Sequence, residues 1–112
     1  MTLAELNTLL NNITGFNGKV VYYAWPKGEP QSPPPPLPFI CYWQTGTNNM
    51  EADGIVYHKV KQISIELYSK YKDTASEEAI EQALTDAEIT YEATCEYIDS
   101  EKCFMTTYEI EV

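Results

Sequence analysis

Few side chains in this sequence of 112 residues could carry out chemistry. His58 is the only histidine, which excludes a metal site built on two histidines and any Ser-His-Asp triad that does not use His58. Cys41, Cys95 and Cys103 lack metal-type spacing and fit free thiols in a reducing compartment. A small hydrolase using a cysteine with His58 is a minor alternative, because no local sequence marks an activated thiol.

Acidic residues are abundant, but their spacing indicates no catalytic or metal-binding role. Glu51 and Asp53 fall in a stretch without the alternating oxygen ligands of a calcium loop. The chain contains neither a phosphate-binding P-loop nor a dinucleotide glycine fingerprint. We expect a solvated or partner-facing stripe, and not a glycosidase-like acid pair, from Glu92, Glu96, Glu109 and Glu111. The sequence therefore predicts a protein that binds other proteins, with no enzymatic activity and no cofactor.

Composition supports the same reading. The formal net charge is -10 at pH 7, and the chain has seven lysines and no arginine. Because phosphate binding needs clustered basic residues, we expect neither specific nucleic-acid binding nor unaided binding to anionic membranes. No stretch approaches the roughly 20 apolar residues of a membrane span, and the N-terminus lacks a signal-peptide pattern, so we expect a cytoplasmic protein. Nine tyrosines suit both half-wet strands and protein interfaces.

Two helices are predicted from apolar residues at helical spacing. The first covers residues 2–13 and the second begins at Thr74. Each begins with a capping-box pattern, Thr2 with Glu5 and Thr74 with Glu77. Four polar residues of the second helix are expected to face water: Glu77, Glu78, Glu81 and Gln82.

Strands are predicted over residues 19–25, 39–44, 55–68, 89–97 and 104–112. The first should be covered on both faces, and the last two should form a hairpin with one wet face. The third changes phase, because Val56 and Val60 share one parity while the apolar positions further on take the other: Ile63, Ile65 and Leu67. Such a shift indicates a bulge or bend, or an arm that leaves the main core, and we favour the arm.

Turn-forming residues separate these strands. All seven prolines lie between Pro26 and Pro38, which predicts a stiff connection. A polyproline ligand for an SH3-type groove is the alternative, although the usual flanking Arg or Lys is missing. Residues 46–54 are predicted as a long turn or loop.

We therefore predict a single α+β domain over residues 1–112, with elements in the order α-β-β-β-α-β-β. A mixed or antiparallel sheet of about five strands should carry both helices on one face. Four of the seven lysines lie close together beside His58: Lys59, Lys61, Lys70 and Lys72. In a monomer they would form a solvated patch, whereas in a ring of identical subunits a basic edge could meet the acidic face of the next copy.

Four segments resemble small tail proteins of phages and prophages of Gram-positive bacteria. They are residues 16–24 (FNGKVVYYA), 56–68 (VYHKVKQISIELY), 96–102 (EYIDSEK) and 108–112 (YEIEV). The likeness extends over most of the chain. It is to the tail-terminator, or tail-completion, class of long-tailed siphophages, whose members close the growing tail tube and join it to the head.

This resemblance implies an α+β subunit that assembles as a hexameric ring on the last ring of tail-tube protein and meets a head-completion protein. It implies assembly in the host cytoplasm, then a place in the virion tail, with DNA passing through a lumen lined with carboxylates. It carries over no catalytic residue. From the phase change and the lysines, we expect subunit or tube contacts at Ile55, Tyr57, His58, Lys59 and Lys61. Alternatives are another neck or minor tail component, or a monomeric acidic DNA mimic that inhibits a host protein and binds it in a salt-dependent way.

Overall fold

The computed structural model describes residues 1–23, 36–52 and 54–112, and within these it describes only the backbone of 50–52 and 56–58. Most of the proline-rich connection and the end of the first predicted strand therefore lie outside the described residues. The elements are α1 (Leu3–Asn11), β1 (Val20–Tyr22), β2 (Phe39–Thr47), β3 (Met50–Ala52), β4 (Ile55–His58), β5 (Lys61–Ser69), α2 (Thr74–Asp86), β6 (Tyr91–Ile98) and β7 (Cys103–Glu111). No helix in this part of the chain is long and apolar enough to cross a membrane.

Within the described residues, five strands form the main sheet in the order β1-β2-β5-β7-β6. The β1–β2 pair is parallel and the other neighbours are antiparallel. The predicted α+β class with a mixed five-stranded sheet is therefore confirmed. The turn predicted over 46–54 is wrong in part, because β2 continues to Thr47 and Met50–Ala52 forms a strand. The glycine and asparagine content of residues 46–54 favours turns, but the pairing of β3 with β4 outweighs that preference.

The predicted strand 55–68 divides at the phase change. Its first part, β4, pairs with β3 in a separate two-stranded sheet, while β5 occupies the centre of the main sheet. Lys59 and Val60 belong to neither strand. The structure thus confirms that the first part leaves the core as an arm. A strand buried on one face needs its apolar residues on one parity, and the residues before Lys61 do not continue the parity of β5.

Both helices pack on the same face of the main sheet and share one core with it. The row formed by Tyr42, Ile65 and Tyr108 crosses β2, β5 and β7, and all three side chains are buried. The helices bury Leu6, Leu10, Ile80 and Leu84 against this face. Each fully buried side chain of this size contributes about 1.5–3 kcal/mol through the hydrophobic effect, so this face holds the domain together.

The start of α1 agrees with the predicted capping box. The backbone N–H of Thr2 donates to the Glu5 carboxylate at 2.9 Å, and the Glu5 N–H donates to the Thr2 hydroxyl at 3.1 Å. For α2 the prediction is wrong by one residue, because Asp73 is the N-cap and accepts from the Ser76 N–H at 3.1 Å. Aspartate caps helices at least as well as threonine. The shift releases Glu77 from a capping role.

Glu77 is buried, with only 8% of its surface exposed, so the prediction that it faces water is wrong. Its carboxylate accepts from the Lys72 ammonium at 2.8 Å and from the Thr106 hydroxyl at 3.0 Å. One turn further along α2, the carboxylate of Glu81 accepts from the phenol of Tyr108 at 2.9 Å. A carboxylate can be buried when it is paired in this way, and the pairs attach α2 to β7.

The two edges of the main sheet also differ from expectation. We predicted that the first strand is covered on both faces, but β1 is the edge strand and the side chain of Tyr22 is exposed. At the other edge, β6 has exposed residues on both faces, whereas a hairpin with one wet face was predicted. Alternation along a strand indicates the possible faces but does not show which neighbour covers them.

Glu77→Ala should lower the free energy of unfolding by about 2–4 kcal/mol, because it removes the carboxylate acceptor of the buried Thr106 hydroxyl, leaves that hydroxyl only the weakly accepting Cys95 sulfur, and releases Lys72. Glu78→Ala is the matched control. Glu78 is the next residue of α2 and is exposed, so its removal should cost about 0.5 kcal/mol or less. Urea denaturation followed by circular dichroism measures both, and equal losses would show that the Glu77 contacts do not stabilise the fold.

Candidate assembly surfaces

The arm consists of β3, β4 and the turn between them. Its ladder pairs Met50 with His58, Glu51 with Val56 and Ala52 with Ile55. Gly54, in the turn, has a φ of 76°, a left-handed conformation that glycine adopts without steric cost. Ile55 begins β4 with 68% of its surface exposed. Because a two-stranded ribbon alone is only marginally stable, the arm would gain much from a partner surface.

Hydrogen bonds hold the root of the arm. The Asn48 N–H donates to the Val60 carbonyl at 2.9 Å, and the Val60 N–H donates to the Asn49 side-chain oxygen at 3.1 Å. Lys61 and Val112 exchange two backbone hydrogen bonds of 2.8 and 3.0 Å. The arm therefore leaves the sheet at a defined point between β2 and β5.

The five residues predicted as contacts lie along one continuous segment from the arm to its root. Ile55 is exposed and Lys59 is exposed. Tyr57 and His58 lie in β4, and their side chains are outside the description. Lys61 begins β5, is half-buried, and donates from its ammonium to the Met1 carbonyl at 3.3 Å.

The lysines do not form the single basic patch that their spacing indicated. Lys61 begins β5 and Lys70 follows its last residue, so at about 3.3 Å per residue the two lysines are separated by roughly 30 Å. Lys72, at the far end, is paired with Glu77, and this hydrogen bond raises the pKa of its ammonium. Only Lys59 and Lys61 lie beside the arm. β5 separates Lys59 and Lys61 from Lys70 and Lys72, and the strand predicted over 55–68 already implies this separation.

The edge strand β6 is the second unusual surface. Residues 92–97 are all exposed, and only the first and last residues of the strand are half-buried. Its helix-side positions are Ala93, Cys95 and Tyr97, and its opposite positions are Glu92, Thr94 and Glu96. Because the contacts of Glu77 and Glu81 hold α2 over β7, the helix leaves most of β6 uncovered. No other strand pairs with its outer edge in the described part of the chain.

The helix-free face of the sheet holds an aromatic cluster that the sequence reasoning missed. Phe39 and Tyr68 stack with ring centroids 5.2 Å apart, and the Tyr68 phenol donates to the Glu66 carboxylate at 3.2 Å. Burial raises the pKa of Glu66 and, together with that carboxylate, the pKa of Tyr68. Cys41 is buried on the same face. In the sequence, Phe39 and Cys41 share one parity and therefore one face of β2. The alternation within β2 does not show which residues of β5 lie beside them.

The thiols, the acidic groups and one open groove are the described features that bear on chemistry. No three His, Cys, Asp or Glu side chains converge as metal ligands anywhere in residues 1–23, 36–52 and 54–112 for which side chains are described. Cys41, Cys95 and Cys103 form no disulfide, and burial raises the pKa of Cys103. The sulfur of exposed Cys95 lies 3.4 Å from the Thr106 hydroxyl oxygen. An open groove of about 750 Å³ between α1 and α2 is lined in part by Leu9 and Ala83.

Neither a protein-family model nor a curated protein sequence matches this chain. The surfaces of the chain itself are the basis for a functional proposal. Those surfaces are the arm, the uncovered strand β6 and the aromatic cluster on the helix-free face. The first two expose backbone and apolar side chains together, which is characteristic of sites that pair with another chain.

Glu66→Gln should stabilise the fold at pH 7 by about 0.5–1 kcal/mol, because the amide avoids the cost of a partly buried charge and still accepts from Tyr68. The pKa of the Glu66 carboxyl is higher in the folded state than in the unfolded state. The native glutamate therefore costs no stability below its unfolded-state pKa, and the cost develops as pH rises through the folded-state pKa. The stabilisation by Glu66→Gln should thus vanish at about pH 4.

Glu109→Gln is the control, because Glu109 lies on the same face and is exposed. Urea denaturation of both variants at the two pH values provides the measurement. A gain that persists unchanged in acid, or that Glu109→Gln reproduces, would contradict the assignment to the buried carboxyl.

Proposed function

We propose that this chain is a structural subunit of a phage tail, which forms a ring on the last ring of tail-tube protein and joins the tail to the head. The observation that carries the proposal is the arm, a hairpin rooted in the main sheet whose two strands, among the described residues, pair with each other and with no other strand. It gives the resemblance to tail terminators a physical counterpart, because such an arm is suited to contact a neighbouring subunit or the tube.

The chemistry of the arm supports a binding role. Ile55 has 68% of its surface exposed, and Lys59, which follows β4, is exposed as well in a protein with a net charge of -10. Burying an isoleucine side chain is worth about 1.5–3 kcal/mol, so leaving one exposed on a projecting hairpin makes physical sense when a partner covers it. Lys59 would orient that partner by attracting the partner's acidic groups.

Net charge supports the place of the ring in the tail. A charge of -10 per subunit, multiplied around a ring, would repel DNA phosphates. A lumen of this kind would let the genome pass without binding it. The proposed partners are thus further copies of this chain, the tube protein and a head-completion protein, with assembly in the host cytoplasm before incorporation into the virion.

The proposal assigns no catalytic residue. The two carboxylates with unusual surroundings, Glu77 and Glu66, are hydrogen-bonded within the fold. Cys95 is the exposed thiol among the three cysteines, and its sulfur lies beside a threonine hydroxyl. These groups stabilise the subunit in our proposal, and its exposed surfaces perform the function.

The test is the oligomeric state with and without purified tail-tube protein. Multi-angle light scattering should show a ring of identical subunits, and negative-stain images should show caps at tube ends. If the chain forms no ring and caps no tube, the proposal fails. A monomer that instead binds a basic host protein with steep salt dependence would identify the DNA-mimic alternative.

Ile55→Ser should raise the concentration needed for half-assembly at least about tenfold, equivalent to about 1.4 kcal/mol per contact. Tyr71→Ser is the matched control, because Tyr71 is 65% exposed and lies beyond the other end of β5. Light scattering over a concentration series measures both. Equal effects of the two substitutions would remove the arm from the interface.

A further inference from the structure

We infer that the outer edge of β6 receives the arm of a neighbouring copy of this chain. The inference rests on the proposed function, because it requires identical subunits joined head to tail. It names the surface that the arm binds, which the proposal itself leaves open.

The first reason is that β6 lacks most of the features that usually protect an edge strand. Such strands are short, carry charged residues (above all lysine) or proline, contain a bulge, or are covered by another element. Of these features β6 has the charges of Glu92 and Glu96. β6 has eight residues without lysine or proline, and its pairing with β7 is regular throughout. The opposite edge, β1, has three residues and is followed by Tyr23 with a φ of 74°. β6 is therefore the edge better suited to strand addition.

The second reason is that two carboxylates lie directly opposite each other on neighbouring strands. Glu92 on β6 lies directly opposite Glu109 on β7, and both are exposed on the helix-free side. Like charges in directly opposed positions destabilise a sheet, so a cation placed beside them would be favourable. Glu96 extends the negative surface along β6. This arrangement points to a basic partner.

Positive charge lies at the root of the arm. Lys59 follows β4 directly and is exposed, whereas residues 50–58 contain Glu51 and Asp53 and no lysine. The apolar groups are complementary as well, because Ile55 is exposed on the arm and Tyr97 is 49% exposed on the helix side of β6. The four residues of β4 span about 13 Å, so the arm would cover part of the eight-residue edge.

Topology favours a neighbouring copy as the source of the arm. The arm leaves the sheet between β2 and β5, and β7 separates β5 from β6. Donor and acceptor are thus different surfaces of one subunit. A contact between different surfaces is heterologous, and repetition of it gives a ring when the rotation closes.

Cross-linking between cysteines introduced at Lys59 and Glu92 tests the contact, because the charge pairing would bring these two positions together. Cys95→Ser removes the exposed native thiol, and Cys41 and Cys103 are buried. Lys59→Cys with Glu92→Cys in this background should form disulfides between subunits under mild oxidation and give a ladder of covalent oligomers on non-reducing gels. A short bis-maleimide linker tolerates sulfurs that are slightly too far apart for a disulfide. Lys70→Cys with Glu92→Cys, in which the lysine change lies at the far end of β5, should give no ladder.

Each outcome either supports or contradicts the proposed contact between the arm and β6. Loss of the ladder when either introduced cysteine is absent supports the contact. A ring of the double cysteine variant that forms without any ladder, with oxidant and with linker, overturns the inference but leaves the proposed function intact. A disulfide-linked dimer of the unaltered chain would show that β6 pairs with β6 of a second copy and would also overturn it. If no variant oligomerises, with or without tube protein, the proposed function fails.

Charge reversal provides a second measurement. Lys59→Glu and Glu92→Lys should each raise the half-assembly concentration at least tenfold, and the double variant should recover most of the loss. Glu78→Lys, with the same charge change at an exposed position of α2, should leave assembly unchanged. A double variant no better than the worse single variant would show that these two residues do not meet.

Discussion

The contact between the buried carboxylate of Glu77 and its partners on β7 and in the loop before α2 determines the layout of this domain. The carboxylate accepts from Lys72 and Thr106, while Glu81 accepts from Tyr108 one turn later. These bonds place α2 over β7. Because a buried, paired carboxylate has few alternative positions, the helix cannot move outward to cover β6 without leaving a buried polar group unsatisfied. The exposure of β6 is thus a consequence of how the core is closed.

The interior consequently stabilises the subunit, whereas the exposed surfaces are available for assembly. The core on the helix side is continuous, and its large side chains are shared among α1, α2, β2, β5 and β7. The arm forms a separate two-stranded sheet, and residues 92–97 of β6 are exposed. In the proposed ring they would complete each other, so that the backbone groups left open at two places in one subunit become paired between subunits. Stability of the subunit and assembly of the ring would then depend on separate residues.

Several features could be predicted because they depend on neighbours in the chain. The capping box at Thr2 and Glu5 is local, and so is the change of parity before Lys61 that divides the arm from β5. The second capping box was wrong because Asp73, one residue earlier, competes successfully for the same backbone groups. The lysine cluster was wrong because an extended strand carries residues close in sequence to opposite ends of the molecule.

By itself, the sequence determined the α+β class, the helix and strand periodicities, the strong negative charge and the single histidine that limits catalysis. The tertiary structure alone decided which strands are edges, that Glu77 is buried, and that Phe39 meets Tyr68. The physical reason is distance along the chain. Periodicity and capping involve residues within a few positions, whereas Glu77 and Thr106 are 29 residues apart. Contacts of that kind exist only once strand order and helix placement have brought distant segments together.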